Sequence, residues 1–98
     1  EMALEIKWTK QAEKGLDHVI KYLETEWTIK EILLLETKLK NALNQIVSNP
    51  ELFPKSEYYK DLHKVIIDKN NYLVYKINNS KSRIEIINFR GTKQKPKH

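Results

Sequence analysis

The stretch Leu62–Pro96, LHKVIIDKNNYLVYKINNSKSRIEIINFRGTKQKP, constrains the fold more than any other part of this chain. Three runs rich in Val, Ile, Tyr and Phe follow one another: Leu62–Ile67, Tyr72–Ile77 and Arg83–Phe89. Such residues suit a pleated, half-buried surface. Asp68–Asn71 and Asn78–Ser82 separate the runs. Asn, Asp and Ser turn a chain because their short polar side chains bond nearby backbone and tolerate left-handed conformations. The pattern predicts an antiparallel meander of three strands with tight connections. Alternation places Leu73, Tyr75 and Ile77 on one face of the middle strand and Tyr72, Val74 and Lys76 on the other. On the last strand it sets Ile84 and Ile86 against Glu85, Ile87 and Phe89.

Upstream, Ala3–Trp8 alternates with Leu4, Ile6 and Trp8 on one face, which predicts a first strand with one wet face. Thr9 is placed to cap the helix that follows. Ala12, Leu16, Val19, Ile20 and Leu23 fall at helical spacing to about Glu26, and Trp27 extends the stripe. Gly15 is unfavourable inside a helix and permits close packing there. Thr28-Ile29-Lys30-Glu31 has the spacing of a capping box, hydroxyl first and carboxylate three residues later. A second helix then carries Ile32, Leu35, Leu39, Ala42, Leu43, Ile46 and Val47, widened by Leu33 and Leu34. It is expected to stop near Ser48-Asn49-Pro50, since proline disfavours helix in the preceding residue. So short a link makes the two helices an antiparallel hairpin.

Pro50–Ser56 reads as a loop whose Phe53 plugs the core edge. The order is β-α-α-β-β-β. It predicts an α+β fold with the helical hairpin packed on one face of an antiparallel sheet, the other face partly open. The expected core is Leu16, Ile20, Leu23, Leu35, Leu39, Leu43, Leu73 and Tyr75. Ninety-eight residues suit one domain. Glu1 and Met2 read as preceding the fold proper, with Met2 the initiator, and residues 94–98 as a flexible basic tail.

The chain has no cysteine, which excludes a disulfide framework and thiolate metal sites and suits a cytoplasmic protein. His18, His63 and His98 are too far apart in sequence to suggest a metal site, and His18 reads as a packed or half-exposed structural residue. No glycine-rich phosphate loop, nucleophile elbow or cofactor motif is present. No apolar run approaches the ~20 residues of a membrane span.

Charge is unevenly placed. Residues 1–53 hold seven Lys or Arg against nine Asp or Glu, a net of −2; residues 54–98 hold eleven against four, a net of +7. A basic half suits a polyanionic partner, nucleic acid or an acidic protein. On or near the meander, Lys55, Lys64, Lys76, Arg90, Lys93 and Lys95 accompany Tyr58, Tyr59, Tyr72 and Tyr75. Lys and Arg neutralise phosphates, and aromatic rings stack on unpaired bases. In metal-free RNA cleavage such cations stabilise charge in the transition state, and a Lys, His or Glu must take the 2′-hydroxyl proton. Arg90 follows the last strand's Phe89 and is expected either to clamp an anion or to pair with Glu85.

Trp8-Thr9 opens the first helix. Asn49-Pro50…Phe53-Pro54 forms the loop, and His63-Lys64-Val65…Tyr72-Leu73-Val74-Tyr75-Lys76-Ile77 the first two strands of the meander. Phe89-Arg90-Gly91-Thr92-Lys93-Gln94-Lys95-Pro96 closes the last. In this order the residues resemble the RelE/ParE superfamily of toxins over essentially the whole chain. The resemblance implies the toxin of a bacterial type II toxin–antitoxin pair, wrapped and silenced by a cognate antitoxin, alone as a homodimer or in a toxin–antitoxin hetero-oligomer.

RNA-cleaving members carry an arginine before the Leu-Val-Tyr of the middle strand; here Tyr72 stands there. The resemblance therefore leaves two targets. One is mRNA on the ribosome, cut by a metal-independent endoribonuclease with Arg90, Lys93, Lys64 and Tyr72 as catalytic groups and Lys55, Lys76 and Lys95 as RNA-binding ones. The other is DNA gyrase, blocked by binding through the same surface. A third reading is an inactive member that only binds antitoxin or nucleic acid.

Overall fold

The structure, a computed structural model, describes residues 4–26, 28–56 and 61–91. Strand β1 (Glu5–Trp8) leads into helices α1 (Lys10–Glu26) and α2 (Ile29–Ser48). Strands β2 (His63–Asp68), β3 (Asn71–Asn78) and β4 (Arg83–Gly91) follow. The order in the sheet is β1-β4-β3-β2. The meander β2-β3-β4 is antiparallel as its turns require, while β1 lies parallel to β4, so the sheet as a whole is mixed.

Both turns are built by the residues that announced them. At the first, Asp68 Oδ1 accepts from the Asn70 N–H at 2.8 Å and from Asn71 Nδ2 at 3.0 Å. At the second, Asn78 Oδ1 accepts from the Lys81 N–H at 3.2 Å, and Ser82 takes a left-handed φ of 52°. Thr9 caps α1, its Oγ1 accepting from the Ala12 N–H at 3.1 Å. The Thr28 half of the capping box is absent: its side chain makes no cap bond, and only its carbonyl accepts from the Glu31 N–H.

One layer of core joins the helices to the sheet. Ala12 and Val19 of α1 and Leu35, Leu39, Ala42 and Ile46 of α2 pack on Val65, Leu73, Tyr75, Ile84, Ile86 and Phe89. Of the expected core, Leu35, Leu39, Leu73 and Tyr75 are buried, whereas Leu16, Leu23 and Leu43 lie half-buried at its margin with Phe53. Ile20 is also only half-buried. A small domain has more margin than centre, so long apolar stripes end partly wet. Trp27 lies outside the described residues.

Phe89 overturns the simple alternation of β4. Its Cα partner is Leu73, while Ile86 pairs with Tyr75 and Ile84 with Ile77. The register shifts between Val74 and Tyr75, so β4 carries one extra residue there. A bulge of this kind reverses the side-chain phase of the strand beyond it. Phe89 thus joins Ile84 and Ile86 in the core, and Arg90 turns to the opposite face. Among the described residues no helix is long and apolar enough to cross a membrane.

Candidate functional site

The face away from the helices gathers four of the predicted residues. Cross-strand partners share a face, and the register pairs Tyr72 with both Ile66 and Arg90, Val74 with both Lys64 and Asn88, and Lys76 with Glu85. Lys64, Tyr72, Lys76 and Arg90 therefore stand together on the open side. Lys64 Nζ lies 4.5 Å from the centroid of the Tyr72 ring, a cation–π contact worth about 0.5–1 kcal/mol at an exposed site. Beside it Ile66 is 68% exposed. The centre of this face is closed, since Val74 and Asn88 are both buried.

Arg90 does not pair with Glu85. The two stand at opposite ends of β4, roughly 15 Å apart along the strand. Glu85 is taken by its own neighbours: Asn78 Nδ2 donates to its Oε2 at 3.1 Å, and Arg83 lies at 3.9 Å. Arg90 is exposed and forms no ion pair with any described residue, so its guanidinium is available to an external anion.

The remaining candidates are not brought to this cluster. Lys55 bridges to the outer edge of β2 opposite His63, with its Nζ 3.9 Å from Asp61, both side chains largely exposed. Lys93, Lys95, Tyr58 and Tyr59 lie outside the described residues. Tyr75 is a core residue: it is fully buried, and its hydroxyl donates to the Pro50 carbonyl at 2.6 Å. Burial, and secondarily the charge of Glu51, push its phenol up to about 12.

His63 is structural. It is 4% exposed, stacks on Tyr75 at 4.9 Å, and places Nδ1 2.7 Å from the Phe53 carbonyl. It faces the helical side, away from Lys64 and Tyr72. His18 is exposed, not packed. It lines a cavity between α1 and the end of β4 with Gln11, Lys14, Gly15, Asn88, Phe89, Arg90 and Gly91. Sequence reasoning missed this group; its one signal was Lys14 and His18 four residues apart, flanking a glycine. No cluster that could hold a metal occurs among the described residues.

The open face can attract an anion and stack a planar ring. Its only carboxylate among the described residues is Glu85, which is engaged by Asn78 and Arg83.

Residues 6–96 match the model of a family described as the ParE toxin of the type II toxin–antitoxin system parDE. No curated protein matches the sequence significantly. Solved structures share the fold. The chromosomal ParDE toxin–antitoxin system of P. aeruginosa superposes with a TM-score of 0.74 at 14% identity, covering 93% of this chain and 98% of that one. The YoeB/ParE toxin of Agrobacterium tumefaciens gives 0.66 at 14% identity, with 90% and 98% covered. The intact RelBE toxin–antitoxin complex of E. coli gives 0.63 at 18% identity, with 95% and 100% covered.

Proposed function

The chain belongs to the ParE toxin family of type II toxin–antitoxin systems, and we propose that it arrests growth by binding DNA gyrase through the open sheet face, without cutting RNA. The observation that carries this reading is the composition of that face. Lys64, Tyr72, Lys76 and Arg90 supply charge and a ring, but among the described residues the candidate bases are engaged or off to one side: Glu85 is held by Asn78, Lys64 lies over Tyr72, and His18 shares a cavity with Arg90 but not with Lys64 or Tyr72. Proton abstraction needs a base within hydrogen-bond reach of the reacting hydroxyl; binding needs only complementary charge and shape.

A cognate antitoxin holds the toxin silent. The solved relatives include toxin–antitoxin complexes. An apolar groove between β1 and α2, lined by Ile6, Leu39 and Leu43 with Glu36, Lys40 and Asn44, offers an amphipathic antitoxin segment a seat. Ile29 and Leu33 are more than half exposed and share the helix face of the groove's Glu36 and Lys40, at i, i+4, i+7 and i+11. The basic half of the chain favours an acidic segment. Leu33→Glu is expected to weaken copurification of the neighbouring gene product and leave the toxin folded.

One observation favours the RNA-cleaving reading: Lys64 and Arg90 flank a ring that could stack on a base. Purified toxin decides between the two. Blocked gyrase supercoiling with intact ribosome-bound mRNA supports gyrase binding; cut mRNA with unaffected gyrase reverses the assignment. Lys93 and Lys95 are proposed to contribute to target binding in either case.

A further inference from the structure

The cavity of about 330 Å³ under α1 is a second cationic site, formed where the helix descends onto the end of β4. Thr9 pins the start of α1 to the strand, its Oγ1 donating to the Ile86 carbonyl at 2.8 Å. Gly15 lets the helix approach, since a Cβ there would stand 2.0 Å from the Phe89 carbonyl oxygen. Lys14 and His18, four residues apart, share one helix face. Across from them lie Asn88 and Arg90.

The chemistry offered is nearly all hydrogen-bond donation. Lys14 brings an ammonium, Arg90 a guanidinium, Gln11 an amide and His18 a ring N–H. Asn88 is 6% exposed, and its Oδ1 already accepts from the Phe89 N–H at 3.0 Å, so Nδ2 is what it has left to offer. None of the lining residues is acidic. Lys14 forms no ion pair with any described residue.

We propose that this cavity binds a phosphate group, either of a nucleic-acid backbone or of free phosphate. A guanidinium and an ammonium facing one cavity, with no acid among its lining residues, suit the charge-assisted hydrogen bonds that phosphate oxygens accept. Sharing Arg90, the cavity carries the basic surface around the end of β4, and its biological use rests on the binding role given to that surface above. Binding itself is read on purified protein, without the target, so the two can fail separately.

The test is a titration of the full chain followed through its amide resonances, once with pyrophosphate and once with a short DNA duplex. Shifts are expected over Gln11–His18 and Asn88–Gly91. The Lys14→Gln, His18→Gln double variant is expected to bind about tenfold more weakly, with melting unchanged. Lys38→Gln, which removes one charge from an exposed position of α2, is expected to bind as wild type. Shifts with DNA alone assign the backbone as source, and shifts with pyrophosphate alone assign free phosphate. Shifts with neither, shifts spread over remote lysines, or a double variant that binds like Lys38→Gln overturn the proposal.

Discussion

The two faces of the sheet are made from the same three strands, yet they obey different rules. On the helical face Val65, Leu73, Tyr75, Ile84, Ile86 and Phe89 are all essentially buried. On the open face Lys64, Tyr72, Lys76 and Arg90 stand exposed or half-exposed around the buried Val74 and Asn88. The first face is fixed by volume, because a packed interior feels the loss of even one methylene. The second is constrained only by which charge and ring it presents. Substitutions should therefore separate cleanly into those that unfold the protein and those that disarm it.

The largest effect belongs to the helical face. Phe89→Ala is expected to cost ~3–5 kcal/mol, and Leu39→Ala ~2–5 kcal/mol, in denaturant unfolding. A loss below ~0.5 kcal/mol for Phe89→Ala would return Phe89 to the open face and remove the bulge from the account. Gly15→Ala comes next. Its Cβ would meet the Phe89 backbone carbonyl at 2.0 Å, and backbone yields less readily than a side chain. The intrinsic helical preference for alanine would favour the variant by ~1 kcal/mol, but overpacking of ~1–3 kcal/mol or more should win. A more stable Gly15→Ala protein would show that α1 rides higher over β4 than described.

High pH should weaken the helical face in particular. The Tyr75 phenol is raised from 10.0 to about 12. Below pH 10 it is protonated in both folded and unfolded chains, so it contributes no pH dependence. From about 10 to 12 the unfolded chain releases the proton and the folded one keeps it. Folding stability then falls by ~2–3 kcal/mol from this group. Spectrophotometric titration should show a late-ionising tyrosine that disappears in Tyr75→Phe. Smaller still is Lys64→Gln on the open face. It removes the cation over Tyr72 and should cost no more than ~1 kcal/mol, while growth arrest weakens. A larger loss of stability with arrest intact would make the Lys64–Tyr72 contact a structural clamp.

The same contrast explains what was legible in the sequence. The elements and turns were readable because they are local: Asp68 and Asn78 bond within three residues of themselves, and the apolar stripes of both helices have helical spacing. Phe89 was misplaced because one bulge residue reverses the alternation, and the register shift that marks it involves pairing with another strand. The parallel pairing of β1 with β4 is likewise non-local. Of the site, Lys64, Tyr72, Lys76 and Arg90 could be named from charge and strand position, whereas Lys55 is separated from them by an edge bridge. The cavity at Lys14 and His18 was hidden because half of it comes from residues 70 or more positions away.

Arg90→Ala tests the central claim, that the open face acts on a target and does not hold the fold together. The side chain is exposed and has no ion-pair partner among the described residues, so stability should stay within ~0.5 kcal/mol of wild type, as for other surface changes. Growth arrest on expression without antitoxin should be lost. Arrest that persists in the folded variant, or that disappears only because the variant unfolds, would contradict the account.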